Sequence, residues 1–112
     1  MEPSRGEIWL ADLNPSRGHE QSGNRPGLVV SVDPFNHGPA GLVVLLPITS
    51  VSKSIPFHVE IGPPEGGVKT KSYIKCEDVR SLAKERPARR RGKVSPTTLA
   101  AVEDRLRILL GL

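Results

Sequence analysis

The fold turns on Asn14 to Ser31, N-P-S-R-G-H-E-Q-S-G-N-R-P-G-L-V-V-S. The first part cannot be regular structure, because Pro15, Gly18, Gly23 and Pro26 punctuate it together with Asn14, Ser16, Ser22 and Asn24. Inside it lie His19, Glu20 and Arg25: a candidate base, a candidate acid and a fixed positive charge. Directly after it Leu28-Val29-Val30 reads as a buried strand. A polar loop is therefore pinned, at Arg25-Pro26, to the edge of a rigid core. Catalytic and binding groups are often held this way, although a solvated hairpin loop has the same local pattern.

The rest of the chain must supply that core within 112 residues, enough for a single domain over 1–112. Aromatics are only 4% of the residues, so the core is Val, Leu and Ile. Eleven glycines and eleven prolines favour short strands and turns over long helices. No apolar run approaches the roughly 20 residues of a membrane span, and the first residues, Met1 to Arg5, lack a signal-peptide pattern. The single cysteine, Cys76, can make no internal disulfide, which fits a reducing cytoplasm.

Charge is divided unevenly. The net charge is +4, but residues through Val68 carry −3 and those from Lys69 onward carry +7. A basic half suits a polyanion or an acidic protein partner, or simply a solvated face.

Taken in order, Gly6 to Leu13 reads as a first strand with apolar groups on both faces. Trp9 within it is a core or interface residue rather than a stacking platform. Gly27 to Val32 is a second strand. The Asp33 to Pro39 turn has room for one helical turn at Pro34. Leu42 to Leu46 is a third strand, buried on both sides and stopped by Pro47, with the hydroxyls of Thr49 and Ser50 at its mouth. Such hydroxyls hydrogen-bond a phosphate or close a turn. Phe57 to Ile61 alternates with Phe57, Val59 and Ile61 on the buried side. Ser72 to Cys76 and Arg80 to Ala83 are two more short strands. Lys84 to Lys93 holds six bases and one acid, and its Pro87 and Gly92 forbid a continuous helix. The last element is a helix. Ser95 caps it, Pro96 takes its first position and Gly111 ends it, while Leu99, Val102, Leu106 and Leu109 recur at helical spacing. Their stripe packs on the barrel or partly on a second subunit.

Several chemistries are excluded. His19, His37 and His58 are far apart and no zinc or EF-hand spacing is present. There is no P-loop, no dinucleotide fingerprint and no G-x-S-x-G elbow. What remains is a set of groups suited to a phosphodiester: His19, Glu20, Arg25, Thr49, Ser50, Lys75 and Glu77. RNA carries its own nucleophile, the 2′-OH. An enzyme cuts it without metal by supplying a base for that hydroxyl, an acid for the leaving 5′-oxygen and cations for the phosphorane.

Four blocks now carry a resemblance: R-G-E-I-W-L-A-D-L-N-P (Arg5 to Pro15), G-H-E-Q-S-G-N-R-P (Gly18 to Pro26), L-P-I-T-S (Leu46 to Ser50) and K-C-E-D-V-R-S (Lys75 to Ser81). They resemble the MazF/PemK/Kid toxins of toxin–antitoxin pairs, and the H-E-Q and K-C-E-D segments are most similar to the Kid branch. The resemblance implies a mostly β, α+β domain: an SH3-like, plasmid-toxin β-barrel with a C-terminal α-helix, paired as a homodimer. It implies a metal-independent, sequence-specific endoribonuclease that cuts single-stranded RNA to 2′,3′-cyclic phosphate and 5′-OH ends, with no cofactor. It also implies a cytoplasmic protein neutralised by an acidic antitoxin, with no membrane partner. Arg25 and Thr49 match the family's catalytic arginine and hydroxyl, and His19 matches the Kid-type loop histidine. Lys75 and Glu77 stand where the Kid type has an arginine acid and an aspartate base. Both are departures, since Lys lacks the planar fork and Glu is one methylene longer. The RNA-binding candidates are Glu20, Gln21, Ser50, Lys53, Phe57, Lys69 and Lys71. Two alternatives remain: a non-catalytic toxin like CcdB, which acts by binding protein, and a small RNA-binding barrel.

Overall fold

In the computed structural model, which describes residues 2–13 and 23–112, the first strand is β1, Glu7–Asp12. It is buried from both sides, with Ile8 in one apolar cluster and Ala11 and Leu13 in another. Trp9 is 3% exposed, and its indole N–H donates to Glu7 Oε1 at 3.0 Å. It is a core residue and leaves no surface for a second subunit.

The second strand, β2 (Asn24–Val29), starts earlier than Gly27 and ends before Val32. Pairing with β1 extends its start, since Ala11 lies opposite Arg25 and Asp12 opposite Asn24. Pro26 is accommodated because the next strand, β3 (Leu42–Thr49), joins β2 only from Gly27 onward. Its missing N–H therefore costs no ladder bond on that side. Between β2 and β3 runs a single helical turn, α1 (Asp33–Asn36).

β3 does not stop at Pro47 as its sequence suggests; it runs on to Thr49. Along one edge it changes partners. Leu42–Leu45 pairs with β6 (Arg80–Ala83), whereas Ile48 and Thr49 pair with β5 (Ser72–Lys75). Pro47 falls in the gap between these partners, where a strand tolerates proline. β5 in turn pairs with β4 (His58–Ile61).

The basic segment 84–93 is mostly strand. Its residues Pro87–Lys93 form β7, antiparallel to β1. Charge, proline and glycine hide this in the sequence, because β7 is an edge strand whose outward residues are arginines. Arg90 Nε donates to Glu7 Oε2 on β1 at 2.8 Å.

The strand order is β4-β5-β3-β2-β1-β7, with β6 on β3. The β4–β5 connection makes a 3₁₀ turn at Glu65–Gly67 that packs on β7, at the far end of this order. The approach is backbone to backbone: a Cβ at Gly92 would stand 2.5 Å from the Gly66 carbonyl carbon. Only glycine fits there, and the contact draws the two ends of the sheet together around Ile8, Leu28, Leu46 and Ile74. The result is the expected barrel-like, mostly β domain.

The C-terminal helix, α2 (Pro96–Leu110), lies as expected. Ser95 Oγ accepts the Thr98 N–H at 3.1 Å, and Gly111 closes the helix at φ 72°. Val102 is fully buried, with Leu99 and Leu106 packed beside it on the core. No helix among the described residues is long and apolar enough to cross a membrane.

Candidate active site

Side chains on a strand alternate between faces, and register carries that alternation across the sheet. Ile48 lies opposite Ile74, and Ile74 opposite Val59; these face the core. Thr49 lies opposite Tyr73, and His58 opposite Lys75, on the other face. Glu77, two residues beyond Lys75, returns to that same side. Cys76, between them, points inward and is fully buried. Burial, and then the neighbouring Glu77 charge, push its thiol pKa up to about 12. It is a core residue, not a nucleophile.

The outer face forms a groove. One hollow, of about 520 Å³, is lined by Thr49, Lys53, His58, Lys75 and Glu77 together with Val51 and Ile55. A second, of about 280 Å³, is lined by Arg25, Pro26, Ser50 and Ser72 and again by Thr49 and Val51. Thr49 therefore stands at the junction, with Arg25 on one side and Lys75 and Glu77 on the other. A third hollow shares Pro26 and Ser72 with the second and adds Lys69 and Arg91. Cations thus recur along adjoining hollows from Lys53 to Arg91.

Each group is held. Arg25 projects from the start of β2, opposite Ala11 of β1. The hairpin's base is closed by the Leu13 N–H donating to the Gly23 carbonyl at 3.0 Å. Thr49 Oγ1 accepts the Val51 N–H at 3.1 Å. The hydroxyl thus closes a turn and still keeps its own proton to donate into the groove. Lys75 Nζ lies 3.5 Å from Asp78 Oδ2. Arg80 grips the same carboxylate with two N–H donors, each at 3.0 Å, and donates to the Leu13 carbonyl at 3.3 Å. Asp78 and Arg80 form a buried brace beneath Lys75. Glu77 does not pair with Lys75 or Arg80; its Oε2 lies 2.8 Å from His58 Nε2.

The expected residues divide accordingly. Arg25, Thr49, Ser50, Lys53, Lys75 and Glu77 come together along the groove. His19, Glu20 and Gln21 lie outside the described residues. Phe57 is partly buried and packs against the apolar core, as the alternation of its own strand requires. Lys69 lines the third hollow, and Lys71 is exposed beside Glu60, 3.6 Å away. Neither belongs to the central hollows. His58 and the Asp78–Arg80 brace went unassigned in the sequence. The alternation of Phe57 to Ile61 does place His58 on the outer face, but only the β4–β5 register sets it against Glu77.

Against this geometry, a family model for the PemK-like, MazF-like toxin of type II toxin–antitoxin systems matches residues 4–110. The chain belongs to this family. It is 37% identical over 113 residues to the endoribonuclease MazF9 of Mycobacterium tuberculosis, covering 96% of each chain. Its fold superposes on the crystal structure of MazF from Deinococcus radiodurans with a TM-score of 0.87 at 34% identity, covering 100% of this chain and 99% of that one. An endoribonuclease from a mycobacterial species, in complex with its cognate antitoxin, aligns with a TM-score of 0.81 at 27% identity, over 98% of this chain and 96% of that one. These family members place the seven-stranded sheet and C-terminal helix among the MazF toxins. They support the ribonuclease reading and not the CcdB-like or purely RNA-binding alternatives.

Proposed function

We propose that this chain is the toxin of a type II toxin–antitoxin pair, an endoribonuclease that cuts single-stranded RNA in the cytoplasm. The observation that carries the reading is the groove, which brings Arg25, Thr49, Lys75 and Glu77 around one junction. A phosphodiester laid across Thr49 meets a forked guanidinium on one side and, on the other, the Lys75 ammonium and the Glu77 carboxylate. Glu77 takes the 2′-proton as the 2′-oxygen attacks phosphorus. The P–O5′ bond breaks and Lys75 gives a proton to the departing oxygen. Arg25 and the Thr49 hydroxyl donate to the phosphorane oxygens, where charge builds. The products are a 2′,3′-cyclic phosphate and a 5′-OH. The cations along the adjoining hollows, from Lys53 to Lys69 and Arg91, hold the flanking backbone.

Among the described residues, no three His, Cys, Asp or Glu side chains converge as a cation site would need. The purified protein should cut a long RNA at discrete positions in EDTA, with cyclic phosphate ends, as read by primer extension and end-group chemistry. Activity that disappears with chelation and returns with magnesium would overturn the proposal.

The same electropositive groove suits an acidic antitoxin segment, whose carboxylates compete for the phosphate positions. The relative solved with its cognate antitoxin supports this reading. We take the working unit to be a homodimer. Exposed apolar side chains gather at the end of α2, where Ile108, Leu110 and Leu112 are 63%, 55% and 86% exposed. Light scattering at micromolar concentration should give about twice the 12.1 kDa chain mass. A monomer would rule the dimer out.

A further inference from the structure

The Glu77 carboxylate has a partner that the reaction above does not use. His58 Nε2 meets Glu77 Oε2 at 2.8 Å. The imidazole is 4% exposed, whereas the Glu77 side chain is 29% exposed. His58 thus lies nearly buried against the hollow, and Glu77 is the more exposed of the two. The register explains the pairing: His58 lies opposite Lys75, so the residue two beyond Lys75 is its diagonal neighbour on the same face. A glutamate has three torsions to settle, and a single fixed donor on one oxygen settles them.

Two atoms of the pair are left over. Glu77 Oε1 and His58 Nδ1 are both buried and neither has a hydrogen-bond partner. Unmatched buried polar atoms are uncommon and call for a reason. With its proton on Nε2, His58 donates to Oε2 and anchors the carboxylate from its buried side.

We propose that His58 is a positioning residue for RNA cleavage: its Nε2–H holds Oε2 of Glu77 and so orients the carboxylate that receives the 2′-proton. The inference rests on the ribonuclease reading and deepens it. In the chemical step the 2′-oxygen bonds phosphorus, its proton passes to the Glu77 carboxylate, and the 5′-oxygen leaves with a proton from Lys75. His58 keeps its own proton throughout. Glu60 and Tyr73 share its outer face, Tyr73 with a ring centroid 6.5 Å away.

The test is steady-state cleavage of a defined RNA by variants at His58 and Glu77, each checked by thermal melting. His58→Leu should lower kcat by about ten- to a hundredfold with KM changed less than about threefold. His58→Gln, whose amide N–H reaches nearly the same point, should stay within about fivefold of the native rate. Adding His58→Leu to Glu77→Asp, which keeps part of the activity, should cost less than it costs the native protein, because the shortened carboxylate has already withdrawn from His58. A native kcat in folded His58→Leu overturns the proposal, as does a folded His58→Gln that is inactive. Independent, multiplying losses in the double variant also overturn it. Should Glu77→Gln itself cut at the native rate, the dyad falls while the ribonuclease reading stands on Arg25 and Thr49. A native protein that cuts no RNA removes that reading as well.

Discussion

Arg25→Ala should lower the rate of RNA cleavage about a hundredfold or more, while affinity for uncleaved RNA falls far less. Removing one donor from a developing oxyanion typically costs about that factor, or roughly 3 kcal/mol of transition-state stabilisation. Two features of the structure make Arg25 the donor that matters. It stands on β2, a strand paired with β1 at Ala11, so its backbone is fixed even though its side chain is exposed. It also shares the Thr49 hollow, which puts its fork beside the one hydroxyl common to both halves of the groove. Affinity is spread over other cations, including Lys53, Lys69 and Arg91, so the loss of one contact is diluted in binding but not in rate. Single-turnover cleavage, set beside anisotropy on the same RNA carrying a 2′-O-methyl at the scissile position, separates the two effects. Arg25→Lys keeps the charge and loses the fork, and should fall between the native protein and Arg25→Ala. Equal losses of rate and affinity in Arg25→Ala would make Arg25 a positioning contact for the backbone and nothing more.

Local pattern was enough to place some elements and failed wherever pairing decided. β1 and α2 are visible in the sequence because burial on two faces and a capped helical stripe are properties of one segment. β7 is invisible, because its arginines and glycine make sense only on an edge strand lying against β1 and the Gly66–Gly67 turn. The run of β3 through Pro47 is hidden for the same reason: the gap that admits the proline is made by two other strands, β5 and β6. The site divides along the same line. Lys75 and Glu77 are legible as residues two apart on an extended segment, with Cys76 turned inward. The His58 partner is not, since it depends on a register between strands.

Glu77→Gln should abolish cleavage with folding and RNA affinity nearly intact, because the carboxylate is the base. The substitution keeps the shape and removes the charge that accepts a proton. Glu77→Asp should be partly active, since the carboxylate survives but is withdrawn by one methylene from both the 2′-OH and His58. The rival account, a surface ion pair contributing under about 1 kcal/mol, is hard to reconcile with the contacts. Lys75 and Arg80 are engaged by Asp78, and Glu77 lies instead against a nearly buried imidazole with one oxygen unmatched. Thr49→Ala belongs in the same experiment. Its hydroxyl closes the Val51 turn and sits where the two hollows meet, so its loss removes a donor and loosens the junction together. A drop of about a hundredfold or more is expected. The pair of variants discriminates two mechanisms built on the same groove. If both are inactive, proton abstraction by Glu77 and charge stabilisation beside Thr49 act in one transition state. If Glu77→Gln cuts at the native rate and Thr49→Ala does not cut, the carboxylate is not the base. The reaction then runs on Arg25 and Thr49, with the proton taken up elsewhere.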